Sequence, residues 1–213
     1  MARKRSLGNS KIMNSIEKLI QIFSQFPGIG PRQARRFVYF LLTRNNGAID
    51  ELSKNLLELK KDVVICADCM RFFERKYEKN NLCKICADQN RNQEILMLVQ
   101  RDIDLESVER NAEFNGLYFV LGGSIPILEK EPEKRIRILE LKRFLRNKKE
   151  IKEVILGVNW NPEGENTGNY VSKVLNTECP TLKVSHLGKG LSMGSELEYT
   201  DGDTLKNALR NRN

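Results

Sequence analysis

"EVILGVNWNPEGENTGNYV", residues 153–171, decides how the rest of this chain is read. Residues 153–158 form a short apolar run of strand character, and residues 166–176 carry a helical pattern. Between them, "GVNWNPEGE" (157–165) offers Glu163 and Glu165, two carboxylates able to hold a metal ion over a phosphate. Asn159 and Asn161, where a metal enzyme wants more negative charge, are neutral amides. Three readings stand at this point: a catalytic site, a disabled one, or a polar turn.

Three further short apolar runs, 94–99 ("EILMLV"), 117–123 ("LYFVLGG") and 182–188 ("LKVSHLG"), flank this stretch in the chain. Helical stretches at 105–114 and 133–148 lie between them. Strands alternating with helices imply an α/β domain whose sheet is mostly parallel, with helices on its faces. Residues 14–60 read differently, as helix throughout. Ile16, Leu19, Ile20, Ile22 and Phe23 recur at helical spacing, a Gly/Pro turn follows, and a second helix carries Phe37, Val38, Phe40, Leu41 and Leu42. A third helix is expected over 48–60. The expected organisation is a basic tail (1–13), a helical hairpin module (14–62), a small zinc finger (63–92), the α/β domain (93–189) and a C-terminal segment (190–213).

Inside the hairpin, "PGIGPRQARR" places Gly28 and Gly30 where a tight turn benefits from backbone freedom. Pro31 suits the first position of the following helix. Such a turn aims backbone N–H groups and a helix N-terminus at a phosphate oxygen, and Arg32, Arg35 and Arg36 add positive charge within two turns. The alternative is a plain helix connection with glycines that only allow close packing. The arginine cluster favours the helix-hairpin-helix of DNA-binding proteins, which grips the backbone without reading sequence.

Cys66-Ala-Asp-Cys69 and Cys83-Lys-Ile-Cys86 form two matched Cys-x-x-Cys pairs. Four thiolates complete a tetrahedron around Zn2+ and leave no open position for a reacting water, so one structural zinc is expected. A redox dithiol is the weaker alternative. Arg71, Arg75, Lys76 and Lys79 lie between the pairs, while Cys179 stands alone and reads as a small buried residue.

The net charge of +8 favours a polyanionic partner, though charge alone identifies none. No apolar stretch approaches the ~18 residues that span a bilayer, so no membrane partner is expected. The basic head "MARKRSLGNSKIMNS" lacks the apolar segment of a secretory signal, and the Cys pairs suit an intracellular zinc protein; the expected location is the cytoplasm.

The order hairpin, four cysteines, α/β domain with a strand–"EGE"–helix resembles the RecR family of bacterial recombination mediators. "FPGIGPRQARRFVYFLL", "CKICADQNRNQE", "YFVLGG", "EVILGVNWNPEGENTGNYV" and "GLSMGSELEYTDGDTL" carry the likeness. The resemblance implies a non-catalytic Toprim domain in a homo-oligomeric, ring-like clamp on DNA. It also implies work with RecO, and in many bacteria RecF, in helping RecA displace single-strand-binding protein at gaps. By that likeness Arg32 and Arg36 contact DNA, and Glu163 and Glu165 belong to the RecO-facing acidic surface.

Four departures stand out against the family pattern. The stretch between the Cys pairs is longer, Gln100 stands where a glutamate is usual, Ser195 replaces a glycine, and residues 1–12 form a basic extension. Toprim enzymes hold Mg2+ with a glutamate after the first strand and an Asp-x-Asp after a later one; here those positions are Gln100, Asn159 and Asn161. The site is therefore expected to be inert. Tyr170 and Tyr199 come without a nucleophile motif, His186 reads as structural, and no phosphate-binding loop for ATP occurs. The competing function is a Mg2+-dependent Toprim enzyme that nicks, religates or primes DNA through Glu163 and Glu165.

Overall fold

A computed structural model describes residues 14–75, 81–188, 190–191, 194 and 196–210. The basic tail, Lys76, Lys79 and Ser195 fall outside the described residues. The chain divides into two compact units, Met1–Lys61 and Asp62–Asn213.

The first unit is helical. α1 (Ser15–Ser24) starts where the Asn14 side chain accepts the Glu17 N–H at 2.9 Å, satisfying one of the orphan donors of the first turn. α2 (Pro31–Leu42) packs on it through Ala34 and Val38, both fully buried, and the rings of Phe23 and Phe37 meet edge to face at 6.2 Å. α3 (Asn46–Asp62) begins earlier than its apolar pattern, because the Asn45 side chain caps it by accepting the Ala48 N–H. Its Leu56, Leu57 and Leu59 remain exposed.

In the second unit, β1 (Val63–Ile65) and β2 (Phe72–Glu74) pair antiparallel, and the one-turn helix α4 (Lys84–Ala87) completes the cysteine module. The main sheet contains β3 (Asn92–Val99), β4 (Gly116–Val120), β5 (Glu153–Gly157) and β6 (Lys183–His186), all parallel, in the order β4-β3-β5-β6. α5 (Asp102–Arg110), α6 (Ile138–Asn147) and α7 (Pro162–Glu178) are the crossovers. α8 (Gly202–Arg210) follows a short 3-10 turn at Leu197–Tyr199.

Alternation along β3 sorts the core into two layers. Leu96 and Leu98 pack with Phe119, Leu156, Leu141 of α6 and Val171 of α7. Met97 and Val99 face the other way, with Tyr118, Leu105 of α5 and the buried cysteines. The cysteine module thus covers part of one sheet face. Three further bonds hold it there: the Val120 N–H donates to the Cys69 carbonyl at 2.8 Å, and the Arg137 guanidinium donates to the carbonyls of Met70 at 2.5 Å and Val120 at 3.3 Å.

Several element ends differ from the sequence pattern, for local reasons. β4 ends at Val120, although the N–H groups of Leu121 and Gly122 still donate to the carbonyls of Val99 and Gln100, and the chain turns at Gly122, whose φ is +88°. α5 starts at Asp102, since the Asp104 carboxylate reaches back to accept the Arg101 N–H at 3.0 Å. The expected helix over 133–148 is broken: Pro132–Lys134 is a 3-10 turn and α6 begins only at Ile138.

Candidate nucleic-acid interface, metal centre and sheet-edge site

The turn between α1 and α2 is built on one unusual residue. Gly28 has φ +77°, a left-handed conformation that L side chains rarely adopt. Gly30 is different: at φ −82° and ψ 167° it lies in ordinary extended backbone, and a Cβ there would meet nothing within 4 Å. The freedom expected of both glycines is required only at Gly28. Gly30 instead serves as the N-cap of α2, where it offers no side-chain hydrogen bond. Pro31 occupies the first helical position, and the first turn of α2 contains no acidic residue. The positive end of the helix dipole is therefore left open. Arg32, Arg35 and Arg36 are all exposed, and their i, i+3, i+4 spacing puts them on one face.

The four cysteines converge from two turns. Their sulfur atoms all lie within 4.8 Å of one another, and Cys69 Sγ stands 3.5 Å from Cys83 Sγ. A tetrahedron with Zn–S bonds of about 2.3 Å separates its sulfurs by about 3.8 Å, so the cluster has the right size to hold a metal ion. Hydrogen bonds from the Cys69, Cys83 and Cys86 thiols hold the Cys66 sulfur far below the ordinary thiol range. Hydrogen bonding to Cys66 pushes Cys69 and Cys86 upward in return. The Cys83 N–H adds a donor to Cys66 Sγ at 3.3 Å. Cys83 is lowered as well, Cys66 opposing and Cys69 and Cys86 lowering it, and a dication would take the place of the protons that the four sulfurs share.

The third site lies at the carboxyl ends of β3 and β5. The connection from β3 runs to β4 on one side and that from β5 to β6 on the other, which makes this a topological switch point. Gln100 follows β3 and is 3% exposed. Its side-chain oxygen accepts the Asn159 N–H at 3.1 Å, bridging the two strand ends. The Asn161 side chain is also occupied, capping α7 by accepting the Gly164 N–H at 2.8 Å. Two of the three amides that replace the expected carboxylates thus carry structural hydrogen bonds.

Glu163 and Glu165 are exposed in the first turn of α7, where the helix dipole favours negative charge. Gly164 between them is obligatory, since a Cβ would stand 2.0 Å from the Asn159 carbonyl oxygen. Sequence reasoning missed the residues that fix this turn. Ser124 Oγ donates to Glu163 Oε2 at 2.9 Å, and the buried Thr167 hydroxyl donates to the Glu163 carbonyl while accepting the Ile125 N–H. No spacing signal announces partners roughly forty residues apart. His186 ends β6, its ring 6.1 Å from that of Trp160.

Comparison with known proteins agrees with this layout. A family model described as "RecR, helix-hairpin-helix" matches residues 16–60, "Toprim domain" matches 94–187, and "RecR, C-terminal" matches 190–213. Recombination protein RecR of Prochlorococcus marinus (strain MIT 9312) is 40% identical over 200 residues, covering 92% of this chain and 94% of its own. Recombination protein RecR of Lactobacillus acidophilus is 34% identical over 197 residues, covering 92% and 96%. Among the described residues no helix is long and apolar enough to cross a membrane.

Proposed function

Because this chain belongs to the RecR family of recombination proteins, we propose that it is a non-catalytic, DNA-binding mediator of recombinational repair. In this role it acts in the cytoplasm as a ring-like homo-oligomeric clamp. It works with RecO, and in some bacteria RecF, to help load RecA at gaps. What carries the proposal is the uncapped, acid-free N-terminus of α2 with three exposed arginines close behind it.

The parts divide the work. Backbone N–H groups at the start of α2 and the guanidinium groups of Arg32, Arg35 and Arg36 take phosphate oxygens, giving affinity without sequence preference. Zn2+ held by Cys66, Cys69, Cys83 and Cys86 closes the module that covers part of one face of the sheet, with all four ligands from the protein. Glu163 and Glu165 repel phosphates and suit a basic surface of RecO instead. The exposed Leu56, Leu57 and Leu59 of α3 support self-association.

Non-catalytic function is supported by what stands at the switch point. Gln100 and Asn161 are neutral and already hydrogen-bonded to backbone N–H groups, so they supply no charge to retain strongly hydrated Mg2+.

The test is a salt-series DNA titration of wild type and Arg32→Glu/Arg36→Glu. Binding should weaken by about tenfold or more, and the slope of log K against log salt should become shallower by about 0.9 for each duplex phosphate no longer neutralised. Unchanged binding would instead favour a zinc-stabilised protein adaptor.

A further inference from the structure

Charge in this protein is segregated. Residues 1–61 hold 12 of the 36 Lys and Arg but only four of the 28 Asp and Glu, so residues 62–213 carry 24 of each and are neutral as a whole. Within that neutral unit, residues 134–152 contain nine Lys and Arg against Glu140 and Glu150. The rest of the unit is correspondingly acidic. Arg137 is half-buried and turned onto the carbonyls of Met70 and Val120, and Lys134, Arg135 and Lys152 pair with Glu131, Glu129 and Glu94; the other five, Lys142, Arg143, Arg146, Lys148 and Lys149, lie on α6 and just past its end, away from the buried stripe of Ile138, Leu141, Phe144 and Leu145.

Ion pairing neutralises only part of this face. Glu178 is shared by Lys142 at 2.9 Å and Arg146 at 3.7 Å, and Lys148 stands 3.9 Å from Asp68. Arg143 and Lys149 are exposed and have no carboxylate within 4.0 Å among the described residues. The negative carboxyl end of α6 explains a cation or two in its last turn. It does not explain Arg143, further back along the helix, or Lys149, beyond its end.

We propose that the solvent face of α6, centred on Arg143, Arg146 and Lys149, is a second binding surface for the phosphate backbone of DNA, additional to the hairpin of α1 and α2. It presupposes that the protein binds DNA. The chemistry of the face selects this partner over another protein. Beyond Leu139 in the first turn, every apolar side chain of α6 is buried, and its exposed positions are Arg143, Arg146 and the polar Asn147. Protein interfaces are enriched in arginine too, but they set it around aromatic side chains, and α6 exposes none. A duplex presents one negative charge per about 1.7 Å of axis and asks only for cations. The 230 Å3 depression beside α6 is lined by Asp68 and Glu140 as well as Arg143 and Lys148, so DNA meets the helix ridge rather than the hollow.

The experiment is a fluorescence-anisotropy titration of the full-length, metal-loaded protein against a labelled random-sequence duplex across a salt series. Arg143→Glu/Lys149→Glu should weaken binding about tenfold at low salt and make the salt slope shallower by about 1–2. Arg143→Gln/Lys149→Gln should show the same slope change with a smaller loss. Both variants replace exposed side chains, so metal content and melting temperature should match wild type. Affinity and slope equal to wild type would overturn the proposal, as would loss of RecO binding with DNA binding intact. Wild-type protein that ignores DNA would overturn the DNA-binding function as well, whereas sensitivity confined to Arg32 and Arg36 would overturn only the second surface.

Discussion

The side-chain oxygen of Gln100 accepts the backbone N–H of Asn159 at 3.1 Å, so two strand ends that would carry metal-binding carboxylates in a Toprim enzyme are joined by an amide. Gln100 is nearly fully buried, and its oxygen satisfies the part-buried N–H of Asn159. Removing it should leave that donor without its protein partner. Gln100→Leu should destabilise the protein by about 1–3 kcal/mol, read as a lower denaturation midpoint with an unchanged denaturant slope. Gln100→Glu keeps the acceptor oxygen and should retain more of the hydrogen bond than Gln100→Leu.

In the α1–α2 turn, the two glycines separate by conformation. Gly28→Ala forces a Cβ into φ +77° and should cost about 1–2 kcal/mol, whereas Gly30→Ala meets open space at φ −82° and should lose only what alanine gives up to glycine as an N-cap, under about 1 kcal/mol. Thermal melts of the two variants check this. Equal losses would show that Gly30 is constrained by more than its own backbone.

Chelation should act on the sheet as well as on the cysteine module. Cys66, Cys69 and Cys83 belong to the same buried cluster as Met97, Val99, Leu105 and Tyr118. Extracting the metal, or Cys66→Ser, should lower the melting temperature and open slow-exchanging amides of β3 and β4, measured by hydrogen exchange beside metal content. Loss of metal with β3 and β4 protection unchanged would show that the module folds independently of the sheet.

Glu153 links β5 to β6 and makes the edge of the sheet acid-sensitive. Hydrogen bonds from Ser185 at 2.6 Å and Lys183 at 3.0 Å hold its carboxyl below the ordinary glutamate value of 4.5. A lowered folded value means that its stabilisation is complete above that ordinary value and disappears as pH falls through the folded one. Glu153→Gln should therefore be less stable than wild type near neutrality and converge with it as pH falls below about 4.5, so that its stability profile is flatter there.

The sheet was legible because its strands carry the pattern of their burial. Leu96, Met97, Leu98 and Val99 alternate between two covered faces and so read as an unbroken apolar run. The cysteine pairs were legible because a chelating pair is local in sequence. The β1–β2 ribbon was not, at three residues a strand, since that length carries no measurable period. Nor were Ser124 and Thr167, whose partners lie roughly forty residues away and come near only when the sheet forms. Gly30 misled for the opposite reason: glycine marks a turn, and which of two nearby glycines takes the left-handed conformation depends on the path of the chain.

The most direct test of a hairpin-bound, non-catalytic clamp is the fate of supercoiled plasmid incubated with pure protein, in EDTA and in Mg2+, resolved by electrophoresis. The account predicts retarded plasmid in both conditions over short times, with the same supercoiled form recovered after deproteinisation. Mg2+-dependent conversion to nicked or relaxed circles, abolished by Glu163→Gln, would contradict it and make the carboxyl end of β5 an active site.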